Sequence, residues 1–148
     1  VQQAAASNQF EILSSQLALD KADNEQVRQF AQQMVKDHEV VAQKMRSALS
    51  AARRQMPLKE PPKKLDAMHQ EIYDKLKAIP EKDFDDKYVE TQLKAHNEAL
   101  ALFYDYDQNG DNKALKDFAS NLTPTLEIHK QHIDRLAMAR SVAKVSSK

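Results

Sequence analysis

A chain of 148 residues with 41% hydrophobic and 30% charged content can build one domain with a real core while solvating long helix faces. Lysine plus arginine and aspartate plus glutamate number 22 each, so no net field exists to draw nucleic acid or an anionic membrane. The absence of cysteine excludes thiolate metal sites, iron–sulfur clusters and disulfides. The single glycine, Gly110, excludes phosphate-cradling loops and nucleophile elbows and argues against tight hairpins.

The first residue is Val1 rather than methionine, which points to a processed or trimmed chain. No apolar run approaches the roughly 20 residues of a membrane span. Residues 1–20 read as a first helix with Ala6, Phe10, Leu13 and Leu17 on its stripe. Glu11 stands beside a column of small residues, Ser7, Ser14, Ser15 and Ala18, where a neighbouring helix can come close. Asp23 or Asn24 caps the next helix. That second helix, 24–54, places Val27, Phe30, Met34, Val41, Met45 and Ala48 at three- and four-residue steps, and His38 takes the step between Met34 and Val41.

Pro57, Pro61 and Pro62 break the pattern, and 53–64 reads as a solvated basic linker. A short helix over 63–79 presents Leu65, Met68, Ile72, Leu76 and Ile79 on one face, with His69 off that face and exposed. The fourth helix, 82–107, carries Val89, Leu93, His96, Leu100 and Phe103 on its stripe, and Gly110 suits a left-handed residue just past its end. The fifth, 113–143, carries Leu115, Phe118, Leu122, Leu126, His129, Ile133 and Leu136. Pro124 should kink, interrupt or restart it. Residues 1–143 thus form one domain, and the last residues, 144–148, form a frayed tail. With no strand signal, the architecture is all-α: a four-helix bundle with a short extra helix.

Asp105, Asp107, Asn109 and Gly110 copy the first half of a calcium-binding loop. Lys116 stands where the bidentate glutamate is needed, so calcium is disfavoured.

His38, His96 and His129 each lie on the inner stripe of a different long helix, and Glu11 comes from the remaining one. A single buried histidine is more often a hydrogen-bonded core residue than a ligand, but three on three stripes call for a shared role. If the short helix carries the chain back to the end near residue 22, rises of about 1.5 Å per residue can be counted along each helix. They put Glu11 roughly 16 Å, His38 and His96 roughly 21 Å, and His129 roughly 14 Å below that end. Side chains tilt toward the N-terminus of their own helix, which closes those differences. The candidate metal ligands are therefore Glu11, His38, His96 and His129, a set suited to zinc, iron, copper or nickel. Asp37, about 100° round the helix from His38, would lie behind the ligands or at the surface.

Phe10-Glu11-Ile12, the run from Phe30 to His38 (Phe-Ala-Gln-Gln-Met-Val-Lys-Asp-His), Phe84 to Tyr88 leading to His96, and Leu122 to His129 resemble domain of unknown function 4142. The resemblance covers nearly the whole chain. It implies a ferritin-like bundle with a crossover helix and a bacterial, exported, periplasmic location. It supplies no activity. Ala95 and His132 depart from the family pattern, and His132 could add a ligand or sit at the surface. The Glu-x-x-His pairs of di-iron carboxylate bundles are missing, since Val35, Leu93 and Leu126 precede the three histidines by three; a standard di-iron oxidase is disfavoured. The competing reading is a non-enzymatic cell-envelope protein, acting in interaction or stress, whose histidines hydrogen-bond in the core to groups such as Glu11 or Asp37. A haem bundle is weaker still, because Met34 and Met45 are ordinary stripe residues. No protein partner is indicated, and a homo-oligomer stays open.

Overall fold

Three of the helix starts are set by side chains that satisfy the orphan N–H groups of a first turn. The structure is a computed structural model that describes residues 1–61 and 64–146. Its helices are α1 (Gln2–Lys21), α2 (Glu25–Ala52), α3 (Ala67–Ala78), α4 (Glu81–Asn109) and α5 (Lys113–Ser146), and the described residues contain no strand. Asn24 caps α2 by accepting from the N–H groups of Gln26 and Val27. Asp66 caps α3 through the N–H of His69. Asn112 accepts from the N–H of Leu115 at the start of α5 and donates to Gln55 Oε1, tying that start to the chain just beyond α2. The expected start of the short helix at Lys63 and the last two residues of the expected tail lie outside the described residues.

Two local expectations are corrected. Gly110 is extended, with φ −62° and ψ 147°, not left-handed. Its glycine character comes instead from close approach: a Cβ there would lie 2.5 Å from the Tyr106 carbonyl oxygen and 2.6 Å from its ring. α5 also runs through Pro124 without interruption. Pro124 and Ser120, whose carbonyl loses its helical partner, both face outward, so water can satisfy that carbonyl. Thr123 Oγ1 adds a bond to the carbonyl of Ala119.

The long helices pack in a ring: α1 on α2, α2 on α5, α5 on α4 and α4 on α1, which leaves α2 and α4 across a diagonal. The ends fix their directions. At one end the N–H of Asn24 donates to Asp85 Oδ2, and Arg140 Nε donates to Asp86 Oδ1 at 2.5 Å. At the other, Gln2 reaches the carbonyls of Lys59 and Glu60, and Asn112 reaches Gln55. Since α2 and α4 both begin at the first end, they run parallel. The connection from α2 to α4 therefore returns the chain to the first end, with α3 laid against α1 and α4. This is the ferritin-like arrangement, in which all four neighbouring pairs are antiparallel.

The core is divided into layers. Phe30, Met34, Phe84, Tyr88, Ile133 and Leu136 pack together toward the Asn24 end. Val41, Leu100, Phe103, Leu122 and Leu126 pack toward the other. On α2, α4 and α5 the position between these layers is a histidine.

Candidate metal centre

His38, His96 and His129 are 3%, 0% and 3% exposed, against an ordinary preference of imidazole for partial exposure. Their rings form a nearly equilateral triangle with centroids 5.5, 5.6 and 5.9 Å apart. One nitrogen from each lies within 4.8 Å of the others, and no carboxylate among the described residues joins them at that spacing.

One nitrogen of each ring is held from behind. His38 Nδ1 is 2.8 Å from Asn8 Oδ1, while Asn8 Nδ2 donates to the His38 carbonyl, so the amide clasps both ring and backbone. His96 Nδ1 donates to the Gln92 carbonyl at 3.0 Å, one turn back on α4. His129 Nε2 donates to Asp37 Oδ2 at 2.8 Å, joining α5 to α2. These acceptors require the proton on the held nitrogen, which leaves His38 Nε2, His96 Nε2 and His129 Nδ1 as the free ring atoms. All three of those atoms are buried and have no hydrogen-bond partner among the described residues.

Burial sets the charge state. Loss of solvent holds His38 well below the ordinary imidazole range, reinforced by the charges His96 and His129 would carry. The same desolvation takes His96 down to about 3, with the charge His129 would carry adding to it. His38 and His96 are thus held neutral, and the unpartnered nitrogens of the three packed rings have no donor among the described residues. Each buried, unpaired acceptor costs about 1–3 kcal/mol. A cation would relieve all three together.

Glu11 reaches the same layer but takes a different place. Its Oε1 is 3.5 Å from His96 Nδ1, the nitrogen on the outer side of the triangle. Burial pushes this carboxyl up to about 8, with the neighbouring Gln92 side chain acting in the opposite sense. It is therefore neutral at pH 7, and its contact with His96 is not an ion pair. The Gln92 amide itself donates to Ser14, and neither Glu11 oxygen has a partner of good geometry. Serines of the small-residue column bring α1 against α4: Ser14 meets Gln92, and Ser15 bonds Tyr88 Oη at 2.8 Å.

Other sequence candidates fall elsewhere. His132 packs edge-on against Phe30 at 5.1 Å and lies outside the triangle. His69 is buried, not exposed: its ring is fixed by Asp66 at 2.8 Å and packs on Phe10 at 5.4 Å. α3 lies with His69 and Leu76 facing inward while Met68 turns out. Asp105 and Asp107 lie within α4, about 200° apart round the helix, so they cannot form the turns of a calcium loop. Asp105 instead accepts from Asn109, and Lys116 donates to the Gln108 carbonyl.

Sequence reasoning missed Asn8 and Gln92. Asn8 stands three residues before Glu11 and Gln92 four before His96, each one turn along a buried face. A polar residue in that register beside a candidate ligand is the signal.

Fold and site together define a ferritin-like bundle with a buried three-histidine layer. The sequence profile described as Domain of unknown function (DUF4142) matches residues 1–136, and the chain belongs to that family. No curated protein and no solved structure is detectably similar to it. No helix among the described residues is long and apolar enough to cross a membrane.

Proposed function

We propose that the protein binds one first-row transition-metal ion through His38, His96 and His129. The observation that carries this reading is the set of three buried, unpartnered imidazole nitrogens turned toward one another while their opposite nitrogens are held. Such backing bonds, to carbonyl, amide and carboxylate, are what orient imidazole ligands and raise their basicity. Donors no more than 4.8 Å apart place a central ion within about 2.8 Å of each, so inward shifts under about 1 Å reach the 2.0–2.1 Å typical of zinc. Neutral imidazoles suit zinc, copper, iron and nickel. The family resemblance supports export to the periplasm, where the bundle would hold or use the ion.

The backing bonds also fit a metal-free core in which the histidines serve only as hydrogen-bonding groups. The two readings part at His38→Ala. Elemental analysis of protein purified without a histidine tag should find about one equivalent of metal, retained through dialysis or restored on loading, and His38→Ala should abolish it. Wild-type protein that takes up no first-row metal would overturn the proposal in favour of the metal-free core.

A further inference from the structure

Three protein donors leave a metal centre one position short of tetrahedral, and a catalytic or ligand-binding site is one in which that position stays open. The bundle provides a place for it. Next to the triangle lies a cavity of about 10 Å3, the space of a single water. Ser7, Asn8, Glu11 and two of the three histidines, His38 and His96, border it, and apolar side chains such as Val41 and Leu126 complete its wall. Both Asn8 side-chain atoms are already bonded to His38. Ser7 and the Glu11 carboxyl remain, and of these Glu11 is the one with polar atoms buried and unpartnered, both of its oxygens. Because Glu11 approaches His96 on its outer nitrogen, it stands beside the triangle rather than within it.

We infer that Glu11 is not a metal ligand but the residue that holds an exogenous, water-sized ligand in the open position of the three-histidine centre. This rests on the metal-binding reading and adds two things to it. The ligand class is limited to water, hydroxide, a diatomic molecule or a narrow rod-like anion, because the cavity has no room for an organic substrate. Glu11 also acquires a positioning role through its hydrogen bond to that ligand.

The test uses the full chain loaded with cobalt(II), whose visible absorption reports coordination, with diatomic cyanide as the narrow probe and imidazole as the wide one. Cyanide should shift the cobalt spectrum of the wild type, and imidazole should not. Glu11→Leu should take up cobalt within about three-fold of the wild type yet bind cyanide about ten-fold more weakly, the loss of one hydrogen bond to a charged ligand. Glu11→Gln, which keeps a polar group, should restore cyanide binding to within about three-fold. Loss of cobalt binding in Glu11→Leu as complete as in His38→Ala would make Glu11 a ligand and overturn the inference. So would cyanide binding indifferent to residue 11, no cyanide shift in the wild type, or imidazole entering as readily as cyanide. Each of these leaves the metal site standing. Failure of the wild type to take up cobalt sinks both. The wild-type comparison of cyanide with imidazole decides the size limit even if Glu11→Leu does not fold.

Discussion

The burial of ionisable groups at mid-bundle makes the stability of metal-free protein a peaked function of pH. His96 titrates at about 3 in the folded chain against an ordinary 6.5. Between those values the unfolded chain binds a proton that the folded chain refuses, so stability is full above pH 6.5 and is lost as pH falls through the window. His38, shifted the same way, adds a second proton to this acid limb. Glu11 acts in the opposite sense. Its carboxyl keeps its proton in the folded chain up to about 8 but loses it near 4.5 when unfolded, so stability falls as pH rises through that range. Each proton contributes about 1.4 kcal/mol per pH unit. From pH 4.5 to 6.5 the opposing slopes of His96 and Glu11 offset each other, and His38 tips the balance toward a gain as pH rises. From pH 6.5 to 8 the Glu11 slope brings a loss of about 2 kcal/mol. Urea denaturation of chelator-treated protein, followed by far-ultraviolet circular dichroism, should place the maximum near pH 6.5. Glu11→Leu should flatten the alkaline limb and steepen the acid limb above pH 4.5, where its opposing slope is removed. Wild-type stability that is flat or still rising from pH 6.5 to 8 would refute the reasoning, since it would mean that Glu11 ionises without cost in the folded state.

Two further outcomes test the backing of the site and the turn between α4 and α5. Asp37→Asn should keep the metal stoichiometry while weakening affinity about 10- to 100-fold, measured by competition with a chelator, because His129 loses its carboxylate partner but not its place; unchanged affinity would show that Asp37 is incidental to the centre. Gly110→Ala should cost about 1–3 kcal/mol, read from the urea midpoint, because its methyl group meets the Tyr106 carbonyl and ring; an unshifted midpoint would contradict the close approach.

The histidine layer was legible because helical periodicity places a residue on a face, and His38, His96 and His129 each occupied a step that an apolar residue would otherwise fill. Counting rises along the helices was enough to bring them to one level once the crossover was assumed, and the parallel course of α2 and α4 agrees with that assumption. Periodicity is silent on which edge of a ring faces a neighbour. That is why Glu11 could be assigned to the right layer while its approach to the outer nitrogen of His96 could not be foreseen. Asp37 was expected behind the ligands or at the surface, but its pairing with His129 was not specified, because a side chain at the margin of a helix face can reach sideways to the next helix. His69 was misplaced because its ring bonds Asp66 and packs on Phe10 of α1, contacts that periodicity within a short helix does not reveal. The glycine at 110 reflected a contact with Tyr106, where sequence statistics on helix ends suggested a backbone angle.

The ring of helices has a further consequence for how the chain comes together. α1 and α2 form one antiparallel hairpin and α4 and α5 another, and each can gather its own contacts locally. His38 belongs to the first hairpin, whereas His96 and His129 belong to the second. An ion shared among them would be a cross-link between the two halves of the molecule, closing a loop that neither half contains by itself. Its stabilisation would fall on the docking of preformed hairpins, the step that must overcome the entropy of the long crossover. The ion would then act chiefly as a clasp on assembly, slowing the separation of the halves more than the fraying of any single helix.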